Sequence, residues 1–133
     1  MDCIFCKIIK GEIPCYKIYE NEYILSFLDI ANDVEGHTLV IPKKHFKNIL
    51  DCDEKYLNEI INAIQLISNH YVNHCGYDGI NVLNNNEVSA EQSVLHLHFH
   101  IIPRKNDDEN KIYPQFKPHN AILEQTYTKL KIN

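Results

Sequence analysis

Three histidines alternate with apolar residues in the run Val94-Leu95-His96-Leu97-His98-Phe99-His100-Ile101-Ile102. Alternate residues of a β-strand point to the same side of a sheet, so this pattern predicts a strand over residues 94–102 with three imidazoles on one face. Pro103 cannot donate a ladder hydrogen bond and is predicted to end the strand. The residues on the opposite, core-facing side would be Leu95, Leu97, Phe99 and Ile101.

The spacing of the histidine row leaves three interpretations open. The row is an exposed strand face that happens to be rich in histidine, a three-histidine metal site, or a nucleophilic site in which one imidazole attacks while its neighbours orient it. Gln92-Ser93 and Asn84-Asn85-Asn86 lie nearby and supply hydrogen-bond donors that suit an oxyanionic substrate such as a phosphate. A metal site would more naturally show a carboxylate that accepts a hydrogen bond from a ligating imidazole.

Four further strands are predicted upstream, at residues 15–19, 23–28, 37–41 and 80–83. Short consecutive strands around one long helix favour an antiparallel α+β domain. One helix covers only one face of such a sheet, so we expect the other face to be solvated or covered by a partner.

The long helix is predicted to follow Asp51, a candidate N-cap with Glu54 three residues later, and to stop near Gly76. A short helical turn near residues 6–10 and a C-terminal helix from about Asn120 are also predicted. The apolar residues that recur at helical spacing in the long helix are Leu57, Ile60, Ile61, Ile64, Ile67 and Tyr71.

The bulk composition predicts one globular domain, residues 1–133. Thirteen Lys and Arg residues against 18 Asp and Glu give a net charge of −5, which argues against a nucleic-acid surface but allows a small nucleotide ligand. The sequence shows neither a membrane span nor a secretory leader, so a cytoplasmic protein is expected. The five cysteines fit a reducing compartment, and those expected to be free thiols are Cys15, Cys52 and Cys75.

The row and its surroundings resemble the histidine-triad (HIT) family. Residues 91–102 are similar to the family signature, in which a Gln and a Ser or Thr precede His-x-His-x-His and apolar residues. The resemblance covers about residues 3–104 and is closest to the nucleoside phosphoramidase-like branch and its bacterial-type relatives. The upstream blocks that carry it are Cys3-Ile4-Phe5-Cys6-Lys7-Ile8-Ile9, Glu12-Ile13-Pro14, Phe27-Leu28-Asp29-Ile30 and Gly36-His37-Thr38-Leu39-Val40-Ile41-Pro42-Lys43-Lys44-His45.

The resemblance implies a HIT-like antiparallel five-stranded sheet with one long and one C-terminal helix, paired into a homodimer whose two sheets become continuous. It implies a hydrolase or transferase that acts on the α-phosphate of a nucleoside phosphoramidate. The expected substrate is a purine nucleotide, such as an AMP or GMP derivative. Catalysis would need no metal in this scheme.

The resemblance also implies roles for the residues of the site. His98 would be the nucleophile and form a covalent nucleotidyl-histidine intermediate, with its other ring nitrogen held as a donor. His100 would contact the phosphate or help the leaving group, and Ser93 would hydrogen-bond to the same groups. His37 resembles the fourth histidine of the family's site.

The expected nucleotide-binding residues include two further matches to the family. Asp29 corresponds to the acidic residue that binds the ribose hydroxyls, since a carboxylate accepts two hydrogen bonds from a vicinal diol. Asn85 matches the phosphate-side asparagine, with a register that three consecutive asparagines leave open by one. The full set expected to bind the nucleotide is Asp29, Asn85, Gln92, Ser93, His98 and His100.

Cys3 and Cys6 form a C-x-x-C pair, which by itself is consistent with redox chemistry, metal binding or chance. Relatives with this pair bind a structural zinc through two histidines, which correspond here to His45 and His96. A Cys2His2 site of this kind is closed and therefore structural. It would tie the N-terminus to the catalytic strand.

The chain departs from the family at two places. The residue before Gln92 is usually glycine and here is Glu91, whose carboxylate would repel a phosphate unless it points away. The tryptophan-containing tail of some relatives is missing, because the chain has no Trp. One alternative to a phosphoramidase is a dinucleoside polyphosphate hydrolase of the same family. Another is a nucleotide-binding regulator with little turnover, for which Glu91 is the hint.

Overall fold

Residues 2–133, which the computed structural model describes, form five strands and three α-helices. The strands are β1 (Lys17–Glu20), β2 (Ile24–Leu28), β3 (Thr38–Pro42), β4 (Gly79–Leu83) and β5 (Phe99–Arg104). The helices are α1 (Ile4–Ile9), α2 (Glu54–His74) and α3 (Leu123–Leu130), and a 3₁₀ turn occupies Val88–Ala90. Among the helices described, none combines the length and the apolar character needed to cross a membrane.

The strands form one sheet in the order β1-β2-β3-β5-β4, and every neighbouring pair is antiparallel. The predicted α+β fold with a five-stranded antiparallel sheet is therefore confirmed. β5 lies between β3 and β4, so the histidine-bearing strand is interior to the sheet.

The last strand is shifted relative to the predicted range of 94–102. The N–H of Leu97 donates to the carbonyl of Phe46 at 2.8 Å, which takes the chain out of the β3 ladder before it reaches Phe99. At the far end, Pro103 pairs with Ile80 and the strand continues to Arg104. The prediction that Pro103 ends the strand was wrong. The pairing of β3 with β5 stops at Ile101, so the missing N–H of Pro103 interrupts no ladder with β3, and the pairing with β4 continues to Arg104.

Helix α2 covers one face of the sheet. The buried residues of α2 pack against the apolar side chains that alternate with the histidines. These are Leu97, which precedes β5, and Phe99 and Ile101 within it. The prediction for Leu95 was wrong, since it is 56% exposed, and Ile61 lies on the open side of the helix. The buried residues of α2 are Ile60, Ala63, Ile64, Ile67 and Tyr71.

The start of α2 also differs from the prediction. The helix begins after Asp53, whereas the carboxylate of Asp51 accepts hydrogen bonds from the N–H groups of Lys47 and Asn48 at 3.1 and 3.0 Å. Asp51 therefore closes the preceding turn rather than capping the helix. Gly76 follows the helix end with a φ of +82°, a left-handed conformation that glycine adopts without steric cost.

The second face of the sheet is covered by the N-terminal segment of the same chain. Cys3 and Phe5 are 7% and 6% exposed and pack with residues of β2 and β3. The expectation that solvent or a partner would cover this face was wrong, because the short α1 supplies the covering side chains. The strand residues of this second core are Leu25, Phe27, Leu39 and Ile41.

Candidate active site

The three histidines project to the α1 side of the sheet although only His100 lies within β5. His98 and His100 line a cleft of about 260 Å³ between α1 and the strands. The predicted residues Asp29 and Ser93 line the same cleft. Its apolar lining includes Phe5, Ile8, Ile13, Phe27, Ile30 and Leu39.

His98 is 4% exposed, and its orientation is fixed by the backbone. A carbonyl oxygen only accepts hydrogen bonds, so the 2.8 Å contact between His98 Nδ1 and the carbonyl of His96 places a proton on Nδ1. In the neutral ring the lone pair then lies on Nε2. Burial lowers the pKa of His98 and favours this neutral form. The arrangement matches what a nitrogen nucleophile requires.

Phe5 and Asn84 hold His98 from two sides. The ring of Phe5 meets that of His98 edge-on, with centroids 5.2 Å apart. The side-chain amide of Asn84 donates to the carbonyl of His98 at 2.9 Å. Neither residue was singled out from the sequence for this contact, because no local pattern indicates which side chains meet a strand 14 or more residues away.

His96 turns away from the cleft and is fully buried. Its Nε2 donates to the carbonyl of Pro42 at 3.0 Å, so the lone pair lies on Nδ1. That Nδ1 atom faces Cys3, Cys6 and His45, and the four ligand atoms all lie within 4.8 Å of one another. Burial lowers the pKa of His96 to about 4, which keeps the ring neutral and leaves Nδ1 without a proton.

The spacing of these four groups fits a tetrahedral metal ion. Ligand atoms around tetrahedral zinc are about 3.4 Å apart for two nitrogens and about 3.6 Å apart for nitrogen and sulfur. The two Nδ1 atoms of His45 and His96 are 3.1 Å apart. The sulfur-to-nitrogen distances are 3.4 Å from Cys3 to His96, 3.4 Å from Cys6 to His45 and 3.6 Å from Cys6 to His96.

His37 and His100 are joined by a direct contact. His37 Nε2 lies 2.9 Å from His100 Nδ1, and His37 Nδ1 lies 2.9 Å from the carboxylate of Asp33. Burial, followed by the neighbouring His98 and His37, lowers the pKa of His100 to about 4. Asp33 was not recognised from the sequence, where an acidic residue in a polar loop carries no distinguishing signal.

Asp29 and Ser93 both line the cleft wall. One carboxylate oxygen of Asp29 accepts from the N–H of Ala31 at 2.8 Å, and the other lies 3.7 Å from His37 Nε2. Ser93 is exposed at the cleft edge and also borders a second, wider depression that contains Lys7 and Lys47. Both predicted residues are thus within the same site as the histidines.

Gln92 is buried and its side chain is taken up by the loop itself. Its amide donates to the carbonyls of Lys47 and Val94 at 2.7 and 3.0 Å, and its oxygen accepts from Asn48 and from the N–H of Glu87. The expected donor to a substrate oxyanion is therefore already used. Gln92 shapes the loop that carries Ser93.

The asparagine run does not bring Asn85 into contact with His98. Asn84 makes that contact, Asn86 accepts from the N–H of Ile49 at 2.8 Å, and Asn85 is exposed. The structure therefore leaves the phosphate-side role of Asn85 as a prediction. It assigns Asn84 and Asn86 to the architecture of the loop.

Glu91 adopts φ 65° and ψ 32°, a left-handed conformation that favours glycine. The residue is exposed and is not part of the cleft lining. The departure from the family at this position therefore affects the backbone rather than the charge facing His98 and His100.

The five-stranded antiparallel sheet and its histidine-lined cleft are features that this chain shares with a known class of proteins, the HIT domain family. The HIT domain family matches residues 10–107, and the chain belongs to this family. It is 48% identical over 109 residues to an uncharacterized HIT-like protein of Borreliella burgdorferi, covering 80% of this chain and 78% of that protein. It is 43% identical over 108 residues to the adenosine 5'-monophosphoramidase of Schizosaccharomyces pombe, covering 81% and 78% respectively.

Solved structures show the same fold. A member of the HIT family from Bacillus subtilis superposes with a TM-score of 0.83 at 37% identity, covering 100% of this chain and 99% of that chain. A Zn-bound histidine triad family protein from Mycobacterium smegmatis superposes with a TM-score of 0.78 at 37% identity, covering 82% and 79%.

Proposed function

We propose that this protein hydrolyses nucleoside phosphoramidates at the α-phosphate, with a purine nucleotide as the preferred substrate. The observation that carries the proposal is the orientation of His98, whose Nδ1 is held by the His96 carbonyl at 2.8 Å while the ring lines the cleft. The similarity to a protein named adenosine 5'-monophosphoramidase supports the same substrate class.

The proposed reaction has two steps at His98. In the first, Nε2 attacks the α-phosphorus, the phosphorus–nitrogen bond of the substrate breaks, and the leaving amine takes up a proton. In the second, water attacks the nucleotidyl-histidine, and the nucleoside monophosphate leaves with His98 restored. Ser93 and His100 would contact the phosphate from the cleft wall, and Asp29 would bind the ribose hydroxyls.

Substitution of the nucleophile tests the proposal. We expect wild-type protein to convert adenosine 5'-phosphoramidate to AMP, and His98→Asn to lower kcat by roughly 10³-fold or more. His74→Asn, at an exposed histidine, should retain wild-type turnover. Rapid quenching of the wild-type reaction should trap a nucleotidyl-protein adduct that His98→Asn lacks. Equal turnover in the two variants would refute the assignment of the nucleophile.

The same assay distinguishes the alternatives. Preferential cleavage of a diadenosine polyphosphate would identify a dinucleoside polyphosphate hydrolase. Tight AMP binding without turnover of either substrate would identify a nucleotide-binding regulator.

We also propose that Cys3, Cys6, His45 and His96 hold a structural zinc ion. The support is the ligand spacing and the His96 lone pair directed into the cluster by the Pro42 carbonyl. Four protein ligands would close the site, so the ion would brace the N-terminal segment and take no part in catalysis. A Zn-bound relative in the same family is consistent with this proposal.

Measurement of the zinc content tests the proposed metal site. We expect about one zinc per chain in protein purified without added chelator, and loss of the metal in Cys3→Ser/Cys6→Ser. Cys75→Ser, at an exposed cysteine, is the matched control and should keep its zinc. Equal metal content in the double variant and the control would refute the site.

We further propose a cytoplasmic homodimer in which the two sheets become continuous. β4 is one edge of the sheet and carries the half-exposed Val82. Helix α2 also contacts β4 and carries the exposed Ile61 and Leu66. Sedimentation should show a dimer for wild type and a monomer for Val82→Lys. Ile18→Lys on the opposite edge is the control that should remain dimeric, and a monomeric wild type would exclude the shared sheet.

A further inference from the structure

A line of three polar side chains runs from the protein surface into the cleft. Asp33 is about half exposed, His37 is 8% exposed, and His100 lines the cleft. His37 Nδ1 lies 2.9 and 3.1 Å from the two carboxylate oxygens of Asp33, and His37 Nε2 lies 2.9 Å from His100 Nδ1. Each contact is within hydrogen-bond distance.

The first contact determines the proton positions in the others. An ionised carboxylate only accepts hydrogen bonds, so Nδ1 of His37 carries the proton. In the neutral ring Nε2 of His37 then has the lone pair and accepts from Nδ1–H of His100. The remaining nitrogen of His100, Nε2, therefore carries no proton in the neutral ring and has its lone pair available at the cleft. Without Asp33, the opposite arrangement would become available, with protons on both Nε2 atoms.

The loop between β2 and β3 holds Asp33 in its ionised form. Burial would raise the pKa of Asp33, but the N–H of Val34, at 2.6 Å, and the His37 ring outweigh it and lower the pKa. Asp29 is the other carboxylate near His37, but at 3.7 Å it is beyond hydrogen-bond distance. Glu35 is engaged by the hydroxyl of Tyr77 at 2.7 Å. Asp33 is thus the carboxylate that orients His37.

We infer that Asp33 is a positioning residue that fixes the proton arrangement of His37 and His100 and thereby enables His100 to protonate the leaving amine. The inference rests on the proposed phosphoramidase function. The negative charge of Asp33 stabilises an additional proton on the pair of imidazoles when the anionic substrate is bound. That proton lies on His100 Nε2, because Nδ1 of His100 already donates to His37.

The proton balances over the two steps. As His98 Nε2 bonds to phosphorus and the phosphorus–nitrogen bond breaks, His100 Nε2 gives its proton to the leaving nitrogen. As water then attacks phosphorus and the bond to His98 breaks, His100 Nε2 takes one proton from the water. The products are the amine and the nucleoside monophosphate, and the three side chains return to their starting state.

A pair of leaving groups tests the inference. An alkyl amine departs only with a proton, whereas p-nitrophenolate departs without one. We expect Asp33→Ala to lower the single-turnover rate of leaving-group release by about 10²-fold for an alkylamine phosphoramidate of AMP. For the p-nitrophenyl ester of AMP, the same rate should fall by less than about 3-fold. The matched control is Glu35→Ala, on the same loop, which should react like wild type with both substrates.

The outcomes separate this inference from the proposed function. Equal slowing of both substrates, or of neither, in Asp33→Ala would overturn the relay while wild-type turnover still supports the phosphoramidase. If wild type cleaves neither substrate, the proposed function fails, and the proton arrangement is measured directly by ¹⁵N NMR of the histidine rings. Wild type should show Nδ1–H for both His37 and His100, and an unchanged His100 tautomer in Asp33→Ala would overturn the inference.

Discussion

Glu91 holds a left-handed backbone conformation that carries a cost for any residue with a Cβ atom. Its φ of 65° follows directly after the 3₁₀ turn, in the loop that carries Ser93. A non-glycine residue in this region is less stable by about 1–2 kcal/mol, and glycine recovers part of this after its larger unfolded-state entropy is counted. We expect Glu91→Gly to raise the free energy of unfolding by about 0.5–1 kcal/mol in urea titrations.

Ser89, inside the 3₁₀ turn, is the control for Glu91 because its φ is negative. Ser89→Gly should lower the free energy of unfolding, since it gains unfolded-state entropy and relieves no strain. Equal effects of the two glycine substitutions would contradict the assignment of strain to position 91.

His100 makes the stability of the protein depend on pH. Its pKa falls from an ordinary 6.5 to about 4, mainly through burial. Between these values the unfolded chain binds more protons than the folded one, so the free energy of unfolding falls as the pH is lowered from about 6.5 to about 4. Comparing urea unfolding at pH 7 and pH 5, we expect a smaller loss in His100→Asn than in wild type.

The control for this pH dependence is His74→Asn, at an exposed histidine near the end of α2. It should lose as much stability on acidification as wild type. If His100→Asn also loses as much, the buried neutral imidazole is not a source of the dependence.

The spacing of the histidines predicts their shared face but not their separate environments. Alternation is a local property of the chain, and it places His96, His98 and His100 opposite Leu97, Phe99 and Ile101 as expected. What separates the three histidines is contact with distant residues: Pro42 and the cysteines for His96, Asn84 for the His98 backbone, and His37 for His100. Single-sequence patterns carry no signal for such contacts.

At the level of elements, the strand at the site ends where backbone partners change. Pro42 has no N–H to offer a neighbouring strand, and its carbonyl accepts from the His96 ring. Leu97 instead pairs with Phe46, so the site histidines lie partly outside the ladder. Pro42 and Pro103 are evident from the sequence, but whether each interrupts the sheet depends on which strand lies beside it.

Helix α1 is six residues long, and its stability comes from tertiary packing rather than from helix propensity. Phe5 packs edge-on against Phe27 at 5.8 Å and against His98 at 5.2 Å between ring centroids. We expect Phe5→Ala to lower the free energy of unfolding by about 3–4 kcal/mol, because a buried aromatic ring is lost from a packed core.

Ile4→Ala is the matched control on the same helix, because Ile4 is 50% exposed. It should change the free energy of unfolding by less than about 1 kcal/mol. Comparable losses for the two variants would mean that α1 is not anchored through Phe5.

Across the whole molecule, three distant parts of the chain meet at the cysteine and histidine cluster. Cys3 caps the start of α1 and Cys6 lies within it, His45 follows β3, and His96 precedes β5. Cys3 and His96 are 93 residues apart in sequence. A metal ion at this point would cross-link the N-terminal segment to both strands of the site, and closing so long a loop restricts the unfolded chain.

Removal of the metal should therefore loosen the cover of the sheet as well as lower its stability. We expect a strong chelator to lower the thermal midpoint of wild-type protein by on the order of 10 °C and to expose residues near α1 to protease cleavage. Cys3→Ser/Cys6→Ser should already melt at the lower temperature and be insensitive to the chelator, whereas Cys75→Ser should respond like wild type. An unchanged midpoint and cleavage pattern in chelated wild type would show that packing of Phe5 alone secures the N-terminal segment.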